Sequence, residues 1–374
     1  MRYYEDLCEQ EIELLTAMGR ELPQGDARGT ELCQKKYFMK YMRRSLYILL
    51  IIVVSVAVFS CTGTKKENKN NSPINRPCPE FVADSAFRYI EEQCAFGPRL
   101  LGTKEADLCA EWIKAQFESK GCVVSEQKTQ VTVWDGTSMP CRNIIASTNT
   151  QAKYRILLCA HWDTRPWADN DPDEANHKKP VLGANDGASG VAVMIEIARL
   201  IQQQPMSDLG IDFVCFDAED MGTPEWAEPL ENDQDTWCLG SKVWAEQMRQ
   251  IGYNPRYGIL LDMVGGRGAT FAREQVSVYF ANHVVNKVWK LASSLGYGQF
   301  FPHTDGGSLV DDHVNVNAIA GIPCIDIVPY FNYGPSSFGP TWHTVNDTPE
   351  NIDRNVLKAV GQTVLQLLYN ERYE

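Results

Sequence analysis

The chain has 374 residues, 44% hydrophobic and 10% aromatic, enough to bury one large core or two ordinary ones. Its formal net charge is −13 and no basic cluster larger than Lys65-Lys66 stands outside the N-terminal region. A surface of that sign gains nothing from releasing counterions off a phosphate backbone, so nucleic acid is excluded as a partner.

Residues 1–44 read as an N-terminal extension that ends in a basic flank of Lys35, Lys36, Lys40, Arg43 and Arg44, with Met39 or Met42 as an alternative start. The stretch 46–59 (LYILLIIVVSVAVF), inside a segment 45–60, is apolar and followed by a small residue, the pattern of a signal peptide. Val58-Phe59-Ser60-Cys61 resembles a bacterial lipobox, in which Cys61 becomes the lipidated first residue. A signal anchor is the alternative, although the run is short against the roughly 17–25 residues that span a bilayer. Residues 61–77 form a polar linker. Both readings expect an exported, membrane-anchored protein, a periplasm-facing lipoprotein first among them, with residues 78–374 as a single domain.

From Cys78 onward helix-type and strand-type periodicities alternate. Segments 81–94 and 104–119 carry apolar residues at helical spacing, as in Ala106, Cys109, Trp112, Ile113 and Phe117. Strands are predicted at 122–134, 139–147 and 154–160, a helix at 190–203, a strand at 211–216, a helix at 241–251, and strands at 257–264 and 276–280. A helix at 282–295, a strand at 323–328 and a closing helix at 351–369 follow. ILLCA, DFVCF and GILLD are apolar throughout, as in strands covered on both faces, which predicts a three-layer α/β/α sandwich around a mixed, mostly parallel twisted sheet.

The twelve cysteines include no CxxC pair and no zinc-finger spacing. Cys159, Cys215 and Cys324 sit in apolar runs and read as buried thiols, whereas disulfides among Cys78, Cys94, Cys109, Cys122 and Cys141 are open in an oxidising compartment.

Chemistry-bearing residues stand where apolar runs end. His161-Trp162-Asp163 follows ILLCA, and an imidazole there can ligate a metal while the carboxylate orients its ring, or the pair can be structural. Asp186 lies in GANDGASG (183–190), either a site of close backbone approach or a turn that caps a helix. Glu219-Asp220 closes DFVCF, where two adjacent carboxylates are costly unless a cation neutralises one of them. Asp262 ends GILLD, and a buried acid there needs a hydrogen bond or a metal. His343 follows the last predicted strand in Thr341-Trp342-His343-Thr344. Asp311-Asp312-His313 is the sixth element, with helix capping as its plain alternative. His177, His283 and His303 have no adjacent carboxylate and read as surface or structural. The aperiodic loop between Asp220 and Leu239 directly follows the proposed site, and loops of that length are usually functional.

Gly97-Pro98-Arg99 with Gly102-Thr103, then AHWD, GANDGASG, FDAED with LGS, ILLD, DDH and WHT, resemble the zinc-dependent M28 metallopeptidase-like clan, and within it the bacterial glutaminyl-peptide cyclotransferases. The narrower likeness rests on Asp311-Asp312-His313, on Trp342 before His343, and on the Trp-bearing loop after Asp220. It implies one catalytic zinc held by Asp186, Asp220 and His343, with Glu219 as general base and acid and Asp262 and Asp311 as a carboxyl network beside it. Trp226, Phe338 and Trp342 would wall the substrate pocket, and His161 and Asp163 would support the site or hold a second metal. The implied reaction converts the N-terminal glutamine of peptides and exported proteins to pyroglutamate and ammonia, by a monomeric enzyme. One departure is Asp220, where animal cyclases carry Glu; the shorter side chain, by about 1.5 Å against a tolerance of about 0.2 Å, requires the backbone to stand closer to the metal. A two-zinc aminopeptidase using His161 and Asp262, and an inactive lipid-anchored binding module, are the competing expectations.

Overall fold

Alternate residues of the strand Tyr154–His161 face two different cores, which is how an unbroken apolar run becomes the centre of a layered fold. Ile156, Leu158 and Ala160 join the larger core, and Leu157 and Cys159 join the smaller one. In the computed structural model residues 75–371 are described, except 229, 231, 232 and 335. The expectations for the N-terminal extension, the apolar segment and Cys61 therefore lie outside the described residues.

In chain order the elements are α1 (Ala83–Cys94), α2 (Lys104–Ser119), β1 (Val123–Thr132), β2 (Ser138–Ser147), β3 (Tyr154–His161), α3 (Ala188–Gln203) and β4 (Leu209–Phe216). Then come α4 (Leu239–Ile251), β5 (Gly258–Leu261), α5 (Gln275–Ser294), α6 (Asp312–Ala318), β6 (Cys324–Ile327) and α7 (Arg354–Asn370). The six strands form one sheet in the order β1-β2-β4-β3-β5-β6. Pairs β4/β3, β3/β5 and β5/β6 are parallel, whereas β1/β2 and β2/β4 are antiparallel. The sheet is mixed and mostly parallel, as the sequence predicts.

Helices α1, α2, α3 and α7 pack with α5 around the larger core, and α4 and α6 cover the other face around Trp244 and Val316. The chain runs from β3 out to β4 and returns to β5 on the opposite side of β3, so a topological switch point lies at the carboxyl end of β3. His161 is the last residue of β3 and pairs in register with Phe216, the last of β4. That edge of the sheet is where the candidate residues converge.

The segment 276–280, predicted as a strand, is instead the first part of helix α5. Its β-branched and aromatic residues favour strand in isolation. The Glu274 side chain overrides that preference by accepting from Val276 N at 2.7 Å and Ser277 N at 2.6 Å, which caps a helix start. Ser277 Oγ then accepts from Asp326 N at 2.9 Å and docks this turn on β6, while a non-helical Ala281 (φ −139°, ψ 37°) breaks the periodicity behind it. All nine cysteines of the described residues are free thiols, including the five for which disulfides were open. Cys159, Cys215 and Cys324 are fully buried.

Candidate active site

Loops after β3, β4 and β5, the N-terminus of α6 and the loop before α7 bring His161, Asp186, Glu219, Asp220, Asp262, Asp311 and His343 to one place. His343 Nε2 lies 3.0 Å from Asp220 Oδ1 and 3.7 Å from Asp186 Oδ2. His161 Nε2 lies 3.0 Å from Asp186 Oδ1 and 3.1 Å from Asp262 Oδ1. Asp186 thus stands between the two imidazoles.

The backbone is strained to make this arrangement. Of the five non-glycine residues with positive φ among those described, four adjoin the site: Ala218 (φ 56°) before Glu219, Cys238 (φ 54°), Met263 (φ 51°) after Asp262, and His343 itself (φ 52°). Each such conformation costs on the order of 1–3 kcal/mol and persists where the surroundings over-determine it. Gly187, next to Asp186, has φ 99°, and a Cβ there would fall 2.5 Å from the Asp163 carbonyl oxygen.

Buried carboxylates hold the loops by their amides. Asp163 accepts from the N–H groups of Glu219 and Asp220, each at 3.2 Å, so its carboxylate fixes the loop that carries the candidate base. Asp347 accepts from Asn185 N at 2.8 Å and Asp186 N at 2.9 Å. Arg99, fully buried, donates to the carbonyls of Trp162, Leu182 and Gly183 and ties the two loops together. Asp169 Oδ1 stands 3.5 Å from His343 Nδ1. The side chain of Asp311 caps α6 by accepting from Asp312 N at 2.5 Å while also lining the pocket, so both readings of the DDH motif hold at once.

Crowding of acids in a buried site sets their protonation. Burial, then the charge of Asp220, pushes the Glu219 carboxyl well above its ordinary value. Burial and Asp220 push Asp186 up to about 6, and burial and Asp262 push Asp311 up to about 7. Burial also raises Asp220, but His343 outweighs it and holds that carboxyl below its ordinary value. The imidazole of His343 is raised, because Asp220 and Asp169 outweigh the effect of burial.

These residues fit a cation. Asp186 Oδ2 and Asp220 Oδ2 are buried without a hydrogen-bond partner, a costly state for a carboxylate oxygen unless an ion meets it. Atoms bound tetrahedrally to one zinc at about 2.0–2.2 Å stand about 3.3–3.6 Å apart, comparable to the 3.0 and 3.7 Å between His343 Nε2 and the two carboxylates. Imidazole nitrogen and carboxylate oxygen are the donors that zinc takes. Ligand atoms of His161, Asp186 and Asp220 also lie within 4.8 Å of one another.

A cavity of about 250 Å³ opens onto these groups. Phe338 and Trp342 line it with ring centroids 4.8 Å apart, and Trp342 stacks on His343 at 3.8 Å. Trp226, proposed from the sequence as a third wall, is not part of the lining; it is 46% exposed and packs edge-on against Trp167 at 5.7 Å. Trp237 lines the cavity instead, parallel to the His343 imidazole within 5° at 5.9 Å. It lies in the same loop, 17 positions beyond Asp220, where Gly222 leaves room for its ring: a Cβ at Gly222 would sit 1.8 Å from it. Asp169, Arg165, Cys238 and Asp347 also escaped sequence reasoning, since isolated polar residues in loops carry no periodicity.

A family model described as peptidase family M28 matches residues 143–368. Among solved structures, a Bacteroides thetaiotaomicron glutaminyl cyclase bound to N-acetylhistamine is 49% identical, covers 79% of this chain and 100% of its own, and superposes with a TM-score of 0.77. A structure described as a leucine aminopeptidase precursor of the same organism is also 49% identical, covering 79% of this chain and 99% of its own with a TM-score of 0.75. The bovine glutaminyl-peptide cyclotransferase is 26% identical over 257 residues, covering 61% of this chain and 65% of its own. The chain thus spans just under two thirds of the length of that curated relative.

Proposed function

The chain belongs to peptidase family M28, whose glutaminyl cyclases it resembles, and from that premise we propose that it converts the N-terminal glutamine of peptides and exported proteins to pyroglutamate with release of ammonia. The carrying observation is that Glu219 and Asp311 line the same aromatic-walled cavity with oxygens within 4.8 Å of each other. Two carboxyls so close do not both ionise cheaply, so the pair shares one proton, and its ionised member has the raised affinity to take a second proton and return it. Cyclisation by aminolysis needs such a group: the α-amine loses a proton as it attacks, and the departing amide nitrogen gains one.

In this reading Asp186, Asp220 and His343 hold one zinc ion, which when bound would polarise the γ-carbonyl oxygen of the glutamine. Glu219 accepts the proton of the attacking α-amine and delivers it to the leaving ammonia. Burial and then the charges of Asp220 and Asp311 keep the proton affinity of that carboxyl high, while Asp262 lines the same cavity and raises Asp311 in turn. Phe338, Trp342 and Trp237 hold the glutaminyl side chain folded back toward its own amine, where most of the gain is entropic, and exclude water that would hydrolyse the amide. The same reading takes the protein to the exported side of the membrane through Cys61 or the apolar segment 46–59, acting as a monomer.

The alternative of a two-zinc aminopeptidase is favoured by one observation, the contacts of His161 Nε2 with both Asp186 and Asp262. Against it, the unpartnered oxygen of Asp186 is Oδ2, which lies 3.7 Å from His343 Nε2, whereas the oxygen near His161 is Oδ1. Incubation with a Gln-initiated peptide decides between them. Ammonia and pyroglutamyl peptide in equal amounts, abolished by a zinc chelator, support the cyclase; free amino acid with two zinc ions per chain overturns it.

A further inference from the structure

We infer that Arg165 is a positioning residue that clasps both sides of the proposed metal centre, coupling the orientation of His343 and Asp220 to the Trp237 wall of the substrate pocket. The inference rests on the proposed ligand set of Asp186, Asp220 and His343.

Arg165 is 1% exposed, yet its guanidinium meets a partner in every direction. Nε and Nη2 donate to Asp169 Oδ1 and Oδ2 at 3.2 and 2.6 Å, the fork that matches guanidinium to carboxylate. Nη1 donates to the carbonyls of Asp220 at 3.0 Å and Gly222 at 2.9 Å, and Nη2 donates to that of Thr223 at 3.2 Å. Its guanidinium carbon lies over the Trp237 ring, 4.5 Å from the centroid, and over the Trp167 ring at 5.0 Å.

Each contact reaches a different part of the site. Asp169, held in the fork, points Oδ1 at His343 Nδ1 from 3.5 Å, the position from which a carboxylate fixes the tautomer of a ligating imidazole and presents Nε2 to a metal. The carbonyl contacts grip the peptide units at Asp220, a proposed ligand, and at the start of the loop that leads to Trp237. The cation–π contact holds the guanidinium over the Trp237 ring, which also runs parallel to His343. One side chain thus closes a ring of contacts from Asp220 through Asp169 and His343 to Trp237. Lysine cannot replace it, because an ammonium has three donors, no planar fork and no face to stack.

The test uses the full chain as Arg165→Lys, Asp169→Asn and Trp237→Phe. Four quantities are compared: zinc affinity by competition with a chromophoric chelator, the visible spectrum of cobalt-substituted protein, KM and kcat on a Gln-initiated peptide, and the melting temperature of metal-free protein. Arg165→Lys is expected to weaken zinc binding at least tenfold, shift the cobalt bands and raise KM. Asp169→Asn is expected to weaken zinc binding by about 10–100-fold and shift the bands with KM within twofold. Trp237→Phe is expected to raise KM with zinc affinity within twofold. The inference is overturned if Arg165→Lys lowers only the metal-free melting temperature, or leaves zinc affinity and KM within twofold of the parent. Should Arg165→Lys fail to fold, Asp169→Asn decides, and an unchanged zinc affinity and cobalt spectrum overturn the clasp. A parent protein that binds no zinc overturns the ligand reading itself, an outcome distinct from a parent that binds zinc beside indifferent variants.

Discussion

The thiol of Cys238 donates to Glu219 Oε1 across 3.3 Å, from a residue held in the left-handed region at φ 54°. Burial, then the charge of Glu219, pushes that thiol well above its ordinary value, so it stays protonated and available as a donor. A hydrogen bond to a proton-transferring carboxyl orients it, and a weak S–H donor is worth about 1 kcal/mol, roughly fivefold in rate. Cys238→Ala is expected to lower kcat about fivefold with KM unchanged, and Cys238→Ser to recover part of the loss. Steady-state ammonia release measures both, and an alanine variant as fast as the parent removes Cys238 from the mechanism.

Glu219 itself carries the larger effect. Its side chain reaches the cavity, while the unpartnered oxygens available to a metal belong to its neighbours Asp186 and Asp220. Glu219→Gln is expected to cost about 10²–10⁴ in kcat and to leave zinc content at the parent level. Loss of metal along with activity would place Glu219 among the ligands instead.

Metal removal acts on stability as well as on rate. Asp186 and Asp220 are buried with unpartnered oxygens, so a bound cation stabilises the folded state and has no such site in the unfolded chain. At free zinc about 1,000 times Kd the gain is about 4 kcal/mol. Dialysis against a chelator is expected to lower the melting temperature and abolish ammonia release, and one equivalent of zinc is expected to restore both. A requirement for two equivalents would instead support the aminopeptidase reading.

The sheet and the ends of its strands were legible because their signals are local. ILLCA and DFVCF are apolar without a break, and His161 and Glu219-Asp220 follow them directly, so burial on both faces and chemistry at the carboxyl edge could be read together. What could not be read depends on contacts distant in sequence. Glu274 turns a strand-like segment into a helix by capping Val276 and Ser277, and its other partners are His313 at 3.1 Å, 39 positions away, and Leu309 N at 3.2 Å. Asp163 and Asp347 support the site by accepting backbone N–H groups 56 to 162 positions distant, a role with no motif. Counting along the loop from Asp220 pointed to Trp226, but the fold of that loop turns Trp237 into the cavity.

Glu274 also gives stability a pH dependence. Burial raises its carboxyl, but the hydrogen bond from His313 and its charge outweigh that and bring it from 4.5 to about 2. A depressed carboxyl contributes stability that is complete above its unfolded pKa and is lost as pH falls through the folded one, here between about 4.5 and 2. The shift corresponds to at most about 3 kcal/mol. Urea titrations at pH 7 and pH 3 should therefore find Glu274→Gln clearly less stable than the parent at pH 7, with the gap shrinking at pH 3. An equal gap at both pH values would show that the loss comes from packing rather than from charge.

The assignment of the third aromatic wall separates two tryptophans eleven positions apart in one loop. Trp237 lines the cavity and lies parallel to His343 at 5.9 Å, whereas Trp226 is 46% exposed, with its ring against Trp167 at 5.7 Å. A wall that holds the glutaminyl side chain in its reactive fold acts on ground state and transition state alike, so its loss should appear mainly in KM. Truncating a fully buried aromatic removes about 3 kcal/mol or more of packing, and half-buried Trp237 supplies a part of that to the substrate. Trp237→Ala is expected to raise KM about tenfold or more on a Gln-initiated peptide, and Trp226→Ala to change it less than about twofold. The reverse ranking would mean that the loop 221–238 closes over the substrate with Trp226 leading, and that the cavity as described is an open form of the site.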